Sequence, residues 1–138
     1  MNLGSRTLAA ALLGGTTLAL PTLSSVIVDV DRECPIDGKQ FEAVVEASGS
    51  VFCVRLDLRK GGYITDPPLH NECPTDGFVW YEDDLTPAEI DSVREWVRPK
   101  EYAALVAGES PHHRLAKIYE RLGRDPLQIA TAYRHAAW

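Results

Sequence analysis

The segment Cys34-Pro35-Ile36-Asp37-Gly38 recurs as Cys73-Pro74-Thr75-Asp76-Gly77. Four of the five positions match, and an aromatic residue follows each copy closely, Phe41 and Phe78. The pattern has the form of a zinc knuckle, Cys-Pro-x-Cys-Gly, whose glycine lets the chain turn tightly beside a metal-bound sulfur. Here the second ligand of each knuckle is aspartate. Three kinds of chemistry fit these residue types. Cys34 and Cys73 can close a disulfide across two facing turns, which an oxidising compartment would preserve. Cys34, Asp37, Cys73 and Asp76 can instead bind zinc, with His70 as a substitute ligand. In the third reading each aspartate only accepts backbone N–H bonds inside its own turn. The spacing leaves all three open.

Other reactive residue types are more isolated. Cys53 is the odd cysteine: a small buried apolar residue, or a reactive thiol with Arg55 nearby to lower its pKa. His112 and His113 stand near Ser110 and Glu109, which invites comparison with a hydrolase triad. No Gly-x-Ser-x-Gly elbow accompanies them, and the two histidines read as solvated groups at a helix start. No Gly-rich phosphate loop occurs, so no nucleotide cofactor is expected, and zinc is the alternative to having none. Glu82-Asp83-Asp84 lacks the ligand spacing of a calcium loop and is explained by the favourable placement of negative charge ahead of a helix. Trp138 ends the chain and is a candidate exposed anchor for a protein partner.

The elements that must position these groups fall into two parts, 25–84 and 85–138, of a single α+β domain. The first is β-rich. Phe41, Ala43, Val45 and Ala47 alternate with Glu42 and Glu46, and Ser48-Gly49-Ser50 marks a turn. Val54, Leu56 and Leu58 alternate with Arg55, Asp57 and Arg59, which predicts a second strand broken at Lys60-Gly61-Gly62. Gly77 to Tyr81 supplies a third, and Asp66-Pro67-Pro68 a loop. A small antiparallel, zinc-ribbon-like sheet is expected. The second part is helical. Thr86-Pro87-Ala88-Glu89 is a capping box with proline at the first helical position. Pro99, Ser110-Pro111 and Asp125-Pro126 open three further short helices, and Gly123 is placed to end the third.

Paired Cys-Pro knuckles bracketing short strands, followed by a helical hairpin with Leu122-Gly123 and the small residues Ala116, Ala130 and Ala132, resemble an uncharacterised bacterial family, domain of unknown function 2225. The resemblance spans roughly residues 33–138. It implies a knuckle site at Cys34, Asp37, Cys73 and Asp76 and a tetratricopeptide-like tail, and it implies no activity. A tetratricopeptide array needs about three copies of a roughly 34-residue repeat, and one hairpin is present. Its apolar face must therefore be covered by the rest of the chain or by a partner.

Residues Met1 to Ser24 carry Arg6, no acidic residue, an uncharged run from Thr7 to Leu23, and small residues at its end. This is the layout of a secretory signal, so the protein is expected to be exported, periplasmic or secreted. Membrane contact is then expected only if this segment stays uncleaved as an anchor. The 138 residues carry 14 Lys+Arg and 20 Asp+Glu, a formal net charge of −6. A chain so acidic, with no basic cluster, is not expected to bind nucleic acid. The expectation is a non-catalytic exported protein that binds or scaffolds another protein. The alternative is a small metal-binding or thiol-redox domain centred on Cys34 and Cys73.

Overall fold

A computed structural model describes residues 24–81 and 85–138. The signal-like segment and the Glu82-Asp83-Asp84 run lie outside the described residues, apart from Ser24. Six strands precede four helices: β1 (Val26–Glu33), β2 (Gln40–Ser48), β3 (Ser50–Val54), β4 (Lys60–Tyr63), β5 (Asn71–Glu72) and β6 (Val79–Trp80), then α1 (Pro87–Val97), α2 (Lys100–Gly108), α3 (Pro111–Leu122) and α4 (Pro126–Ala136). The fold is α+β, as the residue pattern predicts. The strands, however, form three separate antiparallel pairs, β1–β2, β3–β4 and β5–β6, in place of one sheet. Each Cys-Pro segment is the turn of a hairpin, the first between β1 and β2 and the second between β5 and β6.

The second predicted strand is corrected by the structure. Residues 55–58 form a turn, with Leu58 N donating to Arg55 O at 2.9 Å and Leu58 at φ 67°. Asp57 Oδ1 accepts the Arg59 N–H at 3.2 Å, so the side chain that supplied the apparent alternation closes the turn. Lys60-Gly61-Gly62, read as a strand breaker, belongs to β4. A Cβ on Gly62 would stand 2.1 Å from Ser50 O, and one on Gly61 would stand 2.6 Å from Cys53 Sγ. These glycines mark close approach of two strands at a bulge. Gly49 keeps its predicted place between β2 and β3.

The helices begin where local chemistry directs. Thr86 and Glu89 exchange the two bonds of a capping box at the start of α1. Ser110 Oγ accepts His113 N at 3.2 Å, and Asp125 Oδ1 accepts Leu127 N at 2.8 Å. Gly123 adopts the left-handed conformation that ends α3. The core joins the helices to the second knuckle. Val93 and Val97 of α1, Tyr102 of α2 and Leu115, Ala116, Ile118 and Tyr119 of α3 pack with Cys34, Ile36, Cys73, Phe78 and Val79. Ala132 of α4 closes against this cluster, whereas Ala130, read as a close-packing residue, is exposed.

One carbonyl of the second knuckle receives two of the hydrogen bonds that cross between the two parts. Gly77 O accepts from Arg114 Nη1 at 2.6 Å and from Tyr102 Oη at 2.9 Å. Arg114 is buried, and its Nη2 reaches Glu72 Oε1 at 2.9 Å, so the charge is both paired and hydrogen-bonded. Gly77 itself, at φ 69°, has no room for a side chain: a Cβ would lie 2.6 Å from Arg114 Nη1 and 2.8 Å from Val106 Cγ2. Gly38 has the same backbone conformation, but a Cβ there meets only Glu33 Oε1 at 3.8 Å. Gly38→Ala should therefore cost about 1 kcal/mol from backbone strain alone. Gly77→Ala should cost about 3 kcal/mol or more, through strain, overpacking and a displaced buried guanidinium. Urea unfolding of the two variants measures the difference.

Candidate knuckle site and its surroundings

The two knuckles share one hydrogen-bond plan. Cys34 N donates to Lys39 O at 2.9 Å and Gly38 N to Cys34 O at 2.8 Å. The second turn repeats this with Cys73 N to Phe78 O at 2.8 Å and Gly77 N to Cys73 O at 2.9 Å. In each, the aspartate accepts the N–H two residues on: Lys39 N to Asp37 Oδ1 at 3.1 Å and Phe78 N to Asp76 Oδ1 at 3.0 Å. The carboxylates thus close Asx-turns in the place where a metal knuckle carries its second thiolate. Lys39 bridges the copies, with Nζ 2.9 Å from Thr75 Oγ1 and 3.6 Å from Asp37 Oδ2.

Cys34 and Cys73 are joined by a disulfide, with S–S at 2.05 Å and Cα atoms 5.5 Å apart. Both are 1% exposed, in the core cluster with Ile36 and Phe78. Two of the three readings therefore coexist: the cysteines bridge the turns while the aspartates shape them. The metal reading has a narrower basis. Ligand atoms of Cys34, Cys73 and Asp76 lie within 4.8 Å of one another, and among the described residues this trio is the grouping that could hold an ion. Asp37 and His70 stand outside it. Zinc takes thiolate sulfur, so these three residues suit it only after reduction of the bridge.

The repeated aspartates have diverged in environment. The Lys39 N–H holds Asp37 below its ordinary pKa, helped by Thr75 and Lys39 side chains. Burial raises Asp76, and the nearby charge of Asp37 adds to that. They share the edge of a cleft of about 730 Å³ with Thr75, Arg98, Ala103 and Val106.

The remaining sequence candidates are dispersed. His70 lies against His112, with ring centroids 4.9 Å apart, and His112 against His135 at 5.8 Å. His112 Nε2 is 3.1 Å from Pro68 O, and His113 Nδ1 is 3.0 Å from Glu109 Oε2. Ser110 caps α3 through its oxygen, so the Ser110, His112, His113 and Glu109 group is occupied as helix-start structure. Cys53, read foremost as a small buried residue, is exposed, with Sγ 3.9 Å from Gly61 O. Trp138 is partly buried. Its ring receives Arg59 at 5.0 Å and Arg134 at 5.1 Å, and its carbonyl accepts from Arg59 Nη2 at 3.3 Å. This terminal aromatic fastens the β3–β4 hairpin to α4.

Two features escaped the sequence reading. The histidine row brings together the loop before β5, α3 and α4, and no local spacing signals it. An apolar groove of about 300 Å³ runs between Tyr81, Tyr119, Leu127, Thr131 and Ala132. Leu127, 74% exposed near the start of α4, could have been noticed as an apolar residue off that helix's inner stripe. Comparison with protein-family models, with curated proteins and with solved structures gives no match to this chain. Among the described residues no helix is long and apolar enough to cross a membrane.

Two outcomes follow from this geometry. The disulfide spans 39 residues of sequence, so the Cys34→Ala/Cys73→Ala pair should lose about 3–4 kcal/mol of unfolding free energy through the freer unfolded chain. Thermal and urea unfolding with and without a reductant measure it. Burial and the neighbouring His112 lower His70 from 6.5 to about 4. Between these values the unfolded chain binds the proton and the folded chain does not, so stability rises with pH across the window and is lost as pH falls toward 4. The loss attributable to His70 should be about 3 kcal/mol. A urea midpoint series against pH should be flatter for His70→Leu over that range.

Proposed function

We propose that this chain is an exported, non-catalytic protein that works by binding another protein through α4. The observation carrying this reading is the apolar groove bordered by Leu127. A large aliphatic side chain exposed beside a concave apolar surface is the arrangement that accepts an anchoring side chain from a partner. Leu127 and Thr131 lie one turn apart on α4, so that a partner can read them together. Export is supported by the signal-like layout of Met1 to Ser24 and by the Cys34–Cys73 bridge, which suits an oxidising compartment. Resemblance to domain of unknown function 2225 and a tetratricopeptide-like tail belong to the same proposal.

A second reading rests on the grouping of Cys34, Cys73 and Asp76: a small zinc-binding or thiol-redox domain, active in the reduced state. Burial of both sulfurs in the core favours a structural role for the bridge, which places this reading second.

Intact mass of the protein from its own host's envelope fraction tests export. The expected species begins near Ser25, is lighter by two hydrogens than the reduced chain, and alkylates once, at Cys53. A full-length species with three free thiols would overturn export and move the zinc reading to first place. Affinity capture from the same fraction tests binding. The wild type should retain a reproducible partner that Leu127→Asp loses, with Trp138→Ala as a comparison. Capture of no partner, or equal capture by Leu127→Asp, would overturn the assignment to α4.

A further inference from the structure

We propose that the β3–β4 hairpin is a finger that enters the headgroup region of an anionic membrane. Every residue from Val51 to Leu58 is exposed, and five of these eight are Val, Phe or Leu. Leu56 is 105% exposed and Leu58 follows it with its backbone in the left-handed region, so two leucines project from the turn. Behind them Phe52 and Tyr63 pack edge to face, with centroids 5.4 Å apart and both rings exposed. Aliphatic residues at a tip and aromatic rings behind it match the polarity gradient of a bilayer interface.

Charge chooses the occupant. The whole chain has net charge −6, yet the hairpin carries Arg55, Arg59 and Lys60 against Asp57. Asp57 lies 3.6 Å from Arg55 Nε and 3.8 Å from Arg59 Nε, so its charge is opposed within the turn. Asp66 accepts the Lys60 N–H, and Arg134 shares the Trp138 ring with Arg59, both beside the turn, where Val54 pairs with Lys60. The surplus is positive and sits just behind the apolar tip, where it would meet anionic headgroups. Successive residues of a strand point to opposite faces, so the four exposed strand residues Val51 to Val54 leave both faces of β3 open. A flat protein surface would cover one face, whereas an interfacial layer surrounds both. A second copy placed tip to tip would set like charges against each other.

The experiment uses the full chain with an environment-sensitive fluorophore on Cys53, which lies within the finger. Vesicles of equal parts phosphatidylglycerol and phosphatidylcholine should shift the emission to the blue, and vesicles of phosphatidylcholine alone should not. Leu56→Asp with Leu58→Asp should weaken the response about tenfold or more. These side chains are exposed, so the folded structure should persist, which circular dichroism checks. Lys60→Gln should weaken it about fivefold, and added salt should do the same. No shift with anionic vesicles, an equal shift with both vesicle types, or a shift produced by raising protein concentration without lipid would overturn the proposal. The last outcome would assign the finger to self-association.

Discussion

The carbonyl of Gly77 accepts hydrogen bonds from Arg114 and Tyr102, and the arrangement of the whole molecule depends on this junction. Gly77 belongs to the second knuckle, Tyr102 to α2 and Arg114 to α3. A buried guanidinium carries a large desolvation cost unless its donors are satisfied. Gly77 O and Glu72 Oε1 satisfy two of them, which places α3 directly over the β5–β6 hairpin. The side chains of α3 then reach Phe78 and Val79, and the core forms around the second knuckle. The left-handed turn at Gly77 is what brings the carbonyl to the arginine without an intervening Cβ.

The disulfide adds the first knuckle to this core. Because both turns have the same hydrogen-bond plan, a covalent link between their cysteines pairs two similar hairpins, yet their surroundings are unequal. Helices cover the second turn, and its Asp76 is partly buried. The first turn lies at the edge, and its Asp37 is exposed. One sequence motif therefore yields a crowded glycine and an open one, and a raised carboxyl and a lowered one. The duplication sets the shape of the turns; the packing of α2 and α3 sets their chemistry.

Away from that core the chain spends apolar residues differently. Val26, Ile27, Val28 and Val44 are exposed on β1–β2, as are Val51, Phe52, Val54, Leu56 and Leu58 on the next hairpin. Two-stranded pairs without a covering layer cannot bury both faces. Arg59, Trp138 and Arg134 hold the turn end of the β3–β4 hairpin to α4, while Leu56 and Leu58 stay exposed. The groove beside Leu127 lies on α4 as well, so the last helix borders both that groove and the β3–β4 hairpin.

Features governed by contacts within a few residues were legible in the sequence by itself. The capping box at Thr86 and Glu89, the proline starts at Pro87, Pro111 and Pro126 and the stop at Gly123 are all local hydrogen-bond problems with few solutions, whereas the Asx-turns at Asp37 and Asp76 were one reading among three. The pairing of Cys34 with Cys73 was one of three readings there, because ligand geometry requires distances that spacing does not supply. Residues 55–58 misled because alternation describes a strand and this turn equally well, and the positive φ of Leu58 leaves no compositional trace. Only the tertiary structure decided that Arg114 is buried, that Cys53 is exposed, that Asp37 and His70 stand apart from the cysteines, and that Trp138 is held by two arginines. Each depends on elements distant in sequence meeting in space, where burial and charge are properties of the neighbours and not of the residue.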